Sequence, residues 1–181
     1  MRISDLDVLI VPRLGGAGTG DWPGRWRAKL STARLIAPED ARATRREDWN
    51  GAIVEAVRAA TRPILFVGHG LGAAAIAGSA FALGGADVRG AFLVAPPDEA
   101  GLERIVGGGW PLPRAPLPWP SAVVASRNDA DGAYVAVAAL ATAWDAEFID
   151  AGEAGGLDAA SGHGPWPEGL MRLAGFIKKL P

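Results

Sequence analysis

The chain is 181 residues long, 49% hydrophobic and 21% charged, with a net charge of −2, which fits one globular domain over residues 1–181 with a sizeable core. Lys and Arg are scattered, so no basic field calls for nucleic acid or an anionic membrane, and no apolar run reaches the roughly 20 residues of a membrane helix. With no cysteine, the chain has no disulfide framework, no thiolate nucleophile and no Cys-based metal site.

Met1 to Asp7 carries two acids and runs straight into an apolar strand, unlike a signal peptide, so a cytoplasmic location is expected. Strands are predicted at Asp7 to Val11, Ala33 to Ile36, Pro63 to Val67, Ala91 to Ala95, Ala122 to Ala125 and Glu147 to Ile149. Several are apolar throughout, as parallel strands covered on both faces are. Helical patterns lie between them. Asp21 is a candidate cap and Pro23 suits a first turn, with Trp22, Trp26 and Leu30 at i, i+4, i+8 forming one buried stripe. Trp49, Ile53, Val57 and Ala60 form a second stripe, Leu71 to Leu83 and Val135 to Trp144 read as Ala-rich helices, and Leu170, Leu173, Ala174 and Ile177 mark the last. Gly107 to Pro120 holds five prolines, three glycines and two tryptophans and is a loop, either a connector whose Trp110 and Trp119 cover apolar surface or a wall of a pocket. Alternating strands and helices predict a three-layer α/β/α sandwich with a mostly parallel sheet and ligand sites beyond the carboxyl ends of the strands.

One such end is chemically informative. Val67-Gly68-His69-Gly70-Leu71-Gly72 joins an apolar strand to an Ala-rich helix through a Gly-flanked turn. This is the frame of G-x-S-x-G, the turn that raises a serine hydroxyl above an α/β sheet, with Gly70 at the serine position.

Together with four other stretches, this segment resembles the small serine hydrolases of the retinoblastoma-binding protein nine type and their bacterial relatives, a compact branch of the α/β-hydrolase fold. The resemblance runs through Val11 to Gly18 followed by Trp22 and Trp26, Gly68 to Gly72, Leu93 to Asp98, Ser126 to Asp129, and Gly152 to Gly155 leading to Ser161 to Gly169. It implies a Ser-Asp-His triad in that order: the acid position falls on Asp129, the nucleophile position on Gly70 and the base position on Gly156. Arg13 and Ala17 stand where the family commonly has Gly and Ser, Asp158 where Asn is usual, and Ala130-Asp131-Gly132 where Pro and an aromatic are frequent.

Without a hydroxyl at 70 no acyl-enzyme forms there, and without an imidazole at 156 nothing at that position shuttles the proton. The backbone N–H of Leu71 and one from Gly15 or Gly16 are candidates for a ligand-binding anion site. Of the two histidines, His69 is expected to pack beneath the turn, while His163, just past the base position, is a candidate for reaching the pocket. Asp150, Glu153 and Asp158 read as solvated or loop-ordering carboxylates, and the acids and histidines have no metal-ligand spacing. No cofactor is implied. The leading expectation is a degenerate family member that does not act as a serine esterase and that binds a small molecule or ester-like substrate, with no nucleic-acid or membrane partner. One alternative is a non-hydrolytic enzyme of lyase, cyclase or isomerase type using Asp129, His163 or His69 with a backbone oxyanion hole; another is a carboxylesterase inactivated by engineering.

Overall fold

The computed structural model describes residues 1–181. Six strands form one fully parallel sheet in the order β2-β1-β3-β4-β5-β6: β1 (Asp7–Val11), β2 (Ala33–Leu35), β3 (Ile64–His69), β4 (Val88–Val94), β5 (Ser121–Ala125) and β6 (Glu147–Asp150). Each of the six predicted strands is present, within a few residues of its expected bounds. Apolar side chains alternate between two cores: Leu9, Phe66, Leu93 and Val123 face one, and Ile10, Leu65, Phe92 and Val124 the other. Burial on both faces is why these strands read as continuous apolar runs.

Helix α1 (Trp22–Lys29) and helix α6 (Pro167–Ile177) cover one face through Trp22, Trp26, Leu173 and Phe176. Helices α2 (Arg46–Arg58), α3 (Leu71–Ser79) and α5 (Tyr134–Ala143) cover the other through Trp49, Ile53, Ala73 to Ala77, Val137 and Leu140. This is the expected α/β/α sandwich. α3 is buried at eight of its nine residues and lies directly on the sheet, which its small side chains permit. A methyl group on Gly72 would come within 2.1 Å of the Val11 carbonyl oxygen, and one on Gly68 within 2.6 Å of the Ala73 Cα. The glycines flanking the turn are therefore required by the close approach of helix and strand.

Two local readings change, and a third is decided between its alternatives. A helix not expected from the sequence, α4 (Glu99–Val106), follows β4; Asp98 caps it by accepting the Gly101 N–H at 2.7 Å, and Gly107 ends it in the left-handed region at φ 74°. Its interior Gly101 lowers helix propensity, yet a Cβ there would meet the Asp131 carbonyl oxygen at 1.8 Å. Asp21 precedes α1 without capping it, because its carboxylate turns back to accept the Gly18 N–H at 3.1 Å. The Gly107 to Pro120 loop is a cover for the core on the α2 and α5 side: the Trp110 indole donates to the Thr44 carbonyl, Trp119 lies 5.9 Å from Phe66 between ring centres, and the Pro113 carbonyl accepts from Trp144.

Candidate functional site

At the carboxyl end of β3 the chain reverses into α3 through Gly70, whose φ of 55° and ψ of −122° lie where a side chain is strained. Its N–H donates to the Val94 carbonyl at 2.9 Å and its own carbonyl accepts from Ala73 and Ala74, fixing the turn between β4 and the helix. A cavity of about 270 Å³ opens above it. Gly70 directly after β3, Asp129 in the loop after β5 and Gly156 in the loop after β6 all line that cavity, although the first and last are 86 positions apart. Leu71 lines it as well, and as the first residue of α3 it offers one of the N–H groups a helix leaves without an internal acceptor.

The glycines after β1 are placed otherwise than expected. The Gly15 N–H donates to the Ala41 carbonyl at 2.8 Å and the Gly16 N–H to the Arg13 carbonyl at 3.0 Å, and neither residue lines the cavity. Both sit at positive φ, 88° and 82°, so their N–H groups are spent in closing the loop rather than aimed at a ligand.

His69 lines the cavity and is buried. Its Nε2–H donates to the Gly156 carbonyl at 2.9 Å, and its ring lies 5.2 Å from Trp22, whose own N–H donates to the next carbonyl, that of Leu157, at 2.9 Å. Two neighbouring carbonyls of the loop after β6 thus hang from two packed rings. Burial pushes the His69 pKa down to about 4, keeping the imidazole neutral near pH 7. His163 lies outside the cavity lining, its Nδ1 3.4 Å from the Ser161 hydroxyl and its ring edge-on to Trp166 at 6.5 Å.

Asp129 is half-buried; its Oδ1 accepts the Asp131 N–H at 3.0 Å, and it belongs to none of the ion pairs. Burial first, and then the charges of Asp131, Asp158 and Asp98, push its pKa up to about 6. No three His, Cys, Asp or Glu side chains converge as a metal ion requires, and no helix is long and apolar enough to cross a membrane.

Sequence reasoning did not place Arg13 and Asp158 in the site. Both line the cavity and form an ion pair; burial acts to raise the Asp158 pKa, but hydrogen bonds from Ser161 and the guanidinium outweigh it and hold the carboxyl below the usual carboxylate range. The only signal in the sequence was their opposite charges, on the loops after the first and last strands. Ala95, at the end of β4, also lines the cavity at φ 47°, a left-handed conformation uncommon for a residue bearing a side chain.

Residues 8–175 match the family described as serine hydrolase. A YdeN-like protein from Pectobacterium atrosepticum superposes with a TM-score of 0.89 at 30% identity, covering 99% of this chain and 95% of that one. The ydeN gene product of Bacillus subtilis gives a TM-score of 0.72 at 19% identity over 96% of this chain and 100% of that one. Esterase 2 of Thermogutta terrifontis gives 0.63 at 14% identity over 96% of this chain and 83% of that one, a likeness of fold alone. No curated protein matches the chain by sequence.

Proposed function

Because the chain belongs to the serine hydrolase family, we propose that it is a member whose cavity binds a small molecule without serine-esterase turnover. The observation that carries this reading is Gly70 at the turn: the position from which a nucleophile would attack has no side-chain oxygen, and the chain has no cysteine to substitute for one. Gly156, on the same cavity wall, has no side chain to move a proton, which leaves Asp129 an acid with no imidazole at the expected place to orient. A small-molecule ligand, with neither nucleic acid nor membrane as partner, accords with the cavity and the charge.

The test is turnover of p-nitrophenyl esters of several chain lengths against an Asp129→Ala control. Equal, slow rates for the two proteins are expected, since binding and backbone donors alone leave roughly 10³- to 10⁴-fold catalysis over water in a serine protease stripped of its triad. Sustained turnover well above the control would overturn the reading.

A second reading, proton-transfer chemistry of lyase, cyclase or isomerase type, rests on one observation: Asp129 is a cavity carboxyl whose pKa is pushed up to about 6, close to the working pH of a general acid or base. Titration of the Asp129 carboxyl carbon by NMR tests its premise: a midpoint in the ordinary carboxylate range ends this reading.

A further inference from the structure

Arg13 and Asp158 meet the two cavity glycines as well as each other. A Cβ built on Gly70 would lie 3.1 Å from the Arg13 Cβ, and one built on Gly156 would lie 3.4 Å from Asp158 Oδ2, the same oxygen that accepts from Arg13 Nη1. Both ends are anchored. The Arg13 carbonyl accepts from Gly16 at 3.0 Å, and Asp158 Oδ1 accepts the Ser161 N–H at 2.9 Å, leaving the Asp158 side chain only 15% exposed. Among the ten ion pairs of the chain this is the one whose partners both line the cavity.

We propose that the Arg13–Asp158 ion pair is a strut that occupies the space beside Gly70 and Gly156, ties the loop after β1 to the loop after β6, and bars a reagent from the turn at position 70. Arg13 is the part that excludes, with its Cβ beside the turn and the rest of its side chain along the cavity; Asp158 is the part that positions, because it holds the guanidinium there. Arg13, Gly70, Gly156 and Asp158 then form one spatial unit. The strut does not depend on whether the cavity binds or turns over a ligand.

The cysteine-free chain makes the test direct. In Gly70→Cys, the single thiol is titrated with 4,4′-dithiodipyridine, an uncharged disulfide, and rates are compared at the plateau of each pH profile, so that the effect of the guanidinium charge on thiolate content drops out. Adding Arg13→Gly is expected to raise the rate at least tenfold, and adding Asp158→Asn to raise it several-fold by releasing the guanidinium. Equal rates in all three proteins would overturn the proposal. If Gly70→Cys does not fold, Gly156→Cys with and without Asp158→Ala is compared in the same way, with a similar rise expected and equal rates again overturning it. In parallel, thermal melts of Arg13→Ala, Asp158→Asn and the double variant are expected to be non-additive, each single lowering the melting temperature by about 3 °C and the double by no more than the larger single. Additive shifts would show that the two side chains do not act as a unit.

Discussion

The turn after β3 and the loop after β6 each put a glycine on the cavity wall, and the two glycines are under opposite constraints. Gly70 holds φ 55° and faces Arg13 at a distance tighter than ordinary contact, whereas Gly156 is outside the left-handed region and would meet only the Asp158 carboxylate at 3.4 Å. The turn is built from the inside, by helix packing on the sheet. The loop is hung from above, by His69 and Trp22. Position 156 therefore accepts a side chain more readily than position 70, because only the latter demands a strained backbone and a displaced neighbour.

The largest way to break this contrast is Gly72→Ala. Its Cβ would collide with backbone that cannot retreat, so a loss of about 3 kcal/mol or more is expected in urea denaturation; a neutral result would show that α3 lifts off the sheet freely. Next comes pH. The unfolded chain protonates His69 below its ordinary 6.5 and the folded chain only near 4, so between these values the unfolded state binds more protons. The His69 contribution to stability is therefore full above pH 6.5 and falls as pH drops toward 4, by on the order of 3 kcal/mol, so the difference between the protein and a His69→Phe variant, itself weaker overall, should shrink over that range. Gly70→Ala follows, at an expected cost of about 2 kcal/mol in the same urea measurement, through positive φ and contact with Arg13. Asp129→Asn is expected to act in the other direction. The folded chain keeps the Asp129 proton up to about pH 6 and the unfolded chain only to 3.8, so stability declines as pH rises between them. Removing that carboxylate should raise stability at pH 8 by about 1 kcal/mol, after allowance for solvent screening, and leave it unchanged at pH 3. The smallest effect expected is Gly156→Ala, a gain of about 0.5 kcal/mol, which sharpens the comparison by carrying the opposite sign to Gly70→Ala.

Much of this was legible in the chain itself. The apolar runs at 7–11, 63–67 and 122–125 are strands covered on both faces, and the spacing of Gly68, Gly70 and Gly72 before an Ala-rich helix marks a turn whose geometry is local. What was not legible depends on distant partners. Arg13 and Asp158 are separated by 145 residues, so their pairing has no local signature. Helix α4 was missed because Gly101 breaks the helical pattern for a reason supplied 30 residues later, by the carbonyl of Asp131. Nothing in the sequence around Gly15 and Gly16 names the acceptors, the Ala41 and Arg13 carbonyls, that take up their N–H groups in place of a ligand.

The pair of rings that holds the loop after β6 also makes the molecule report on itself. Trp22 is wholly buried, packs at 4.4 Å from Trp26 and at 5.2 Å from both Trp166 and His69, and donates its only polar hydrogen to that loop. An indole so placed emits at short wavelength while the loop is seated, and a protonated imidazole beside it quenches the emission. Of the seven tryptophans Trp22 is the one whose indole N–H bonds that loop, so the part of the emission lost in a Trp22→Phe variant records whether the loop carrying position 156 is in place.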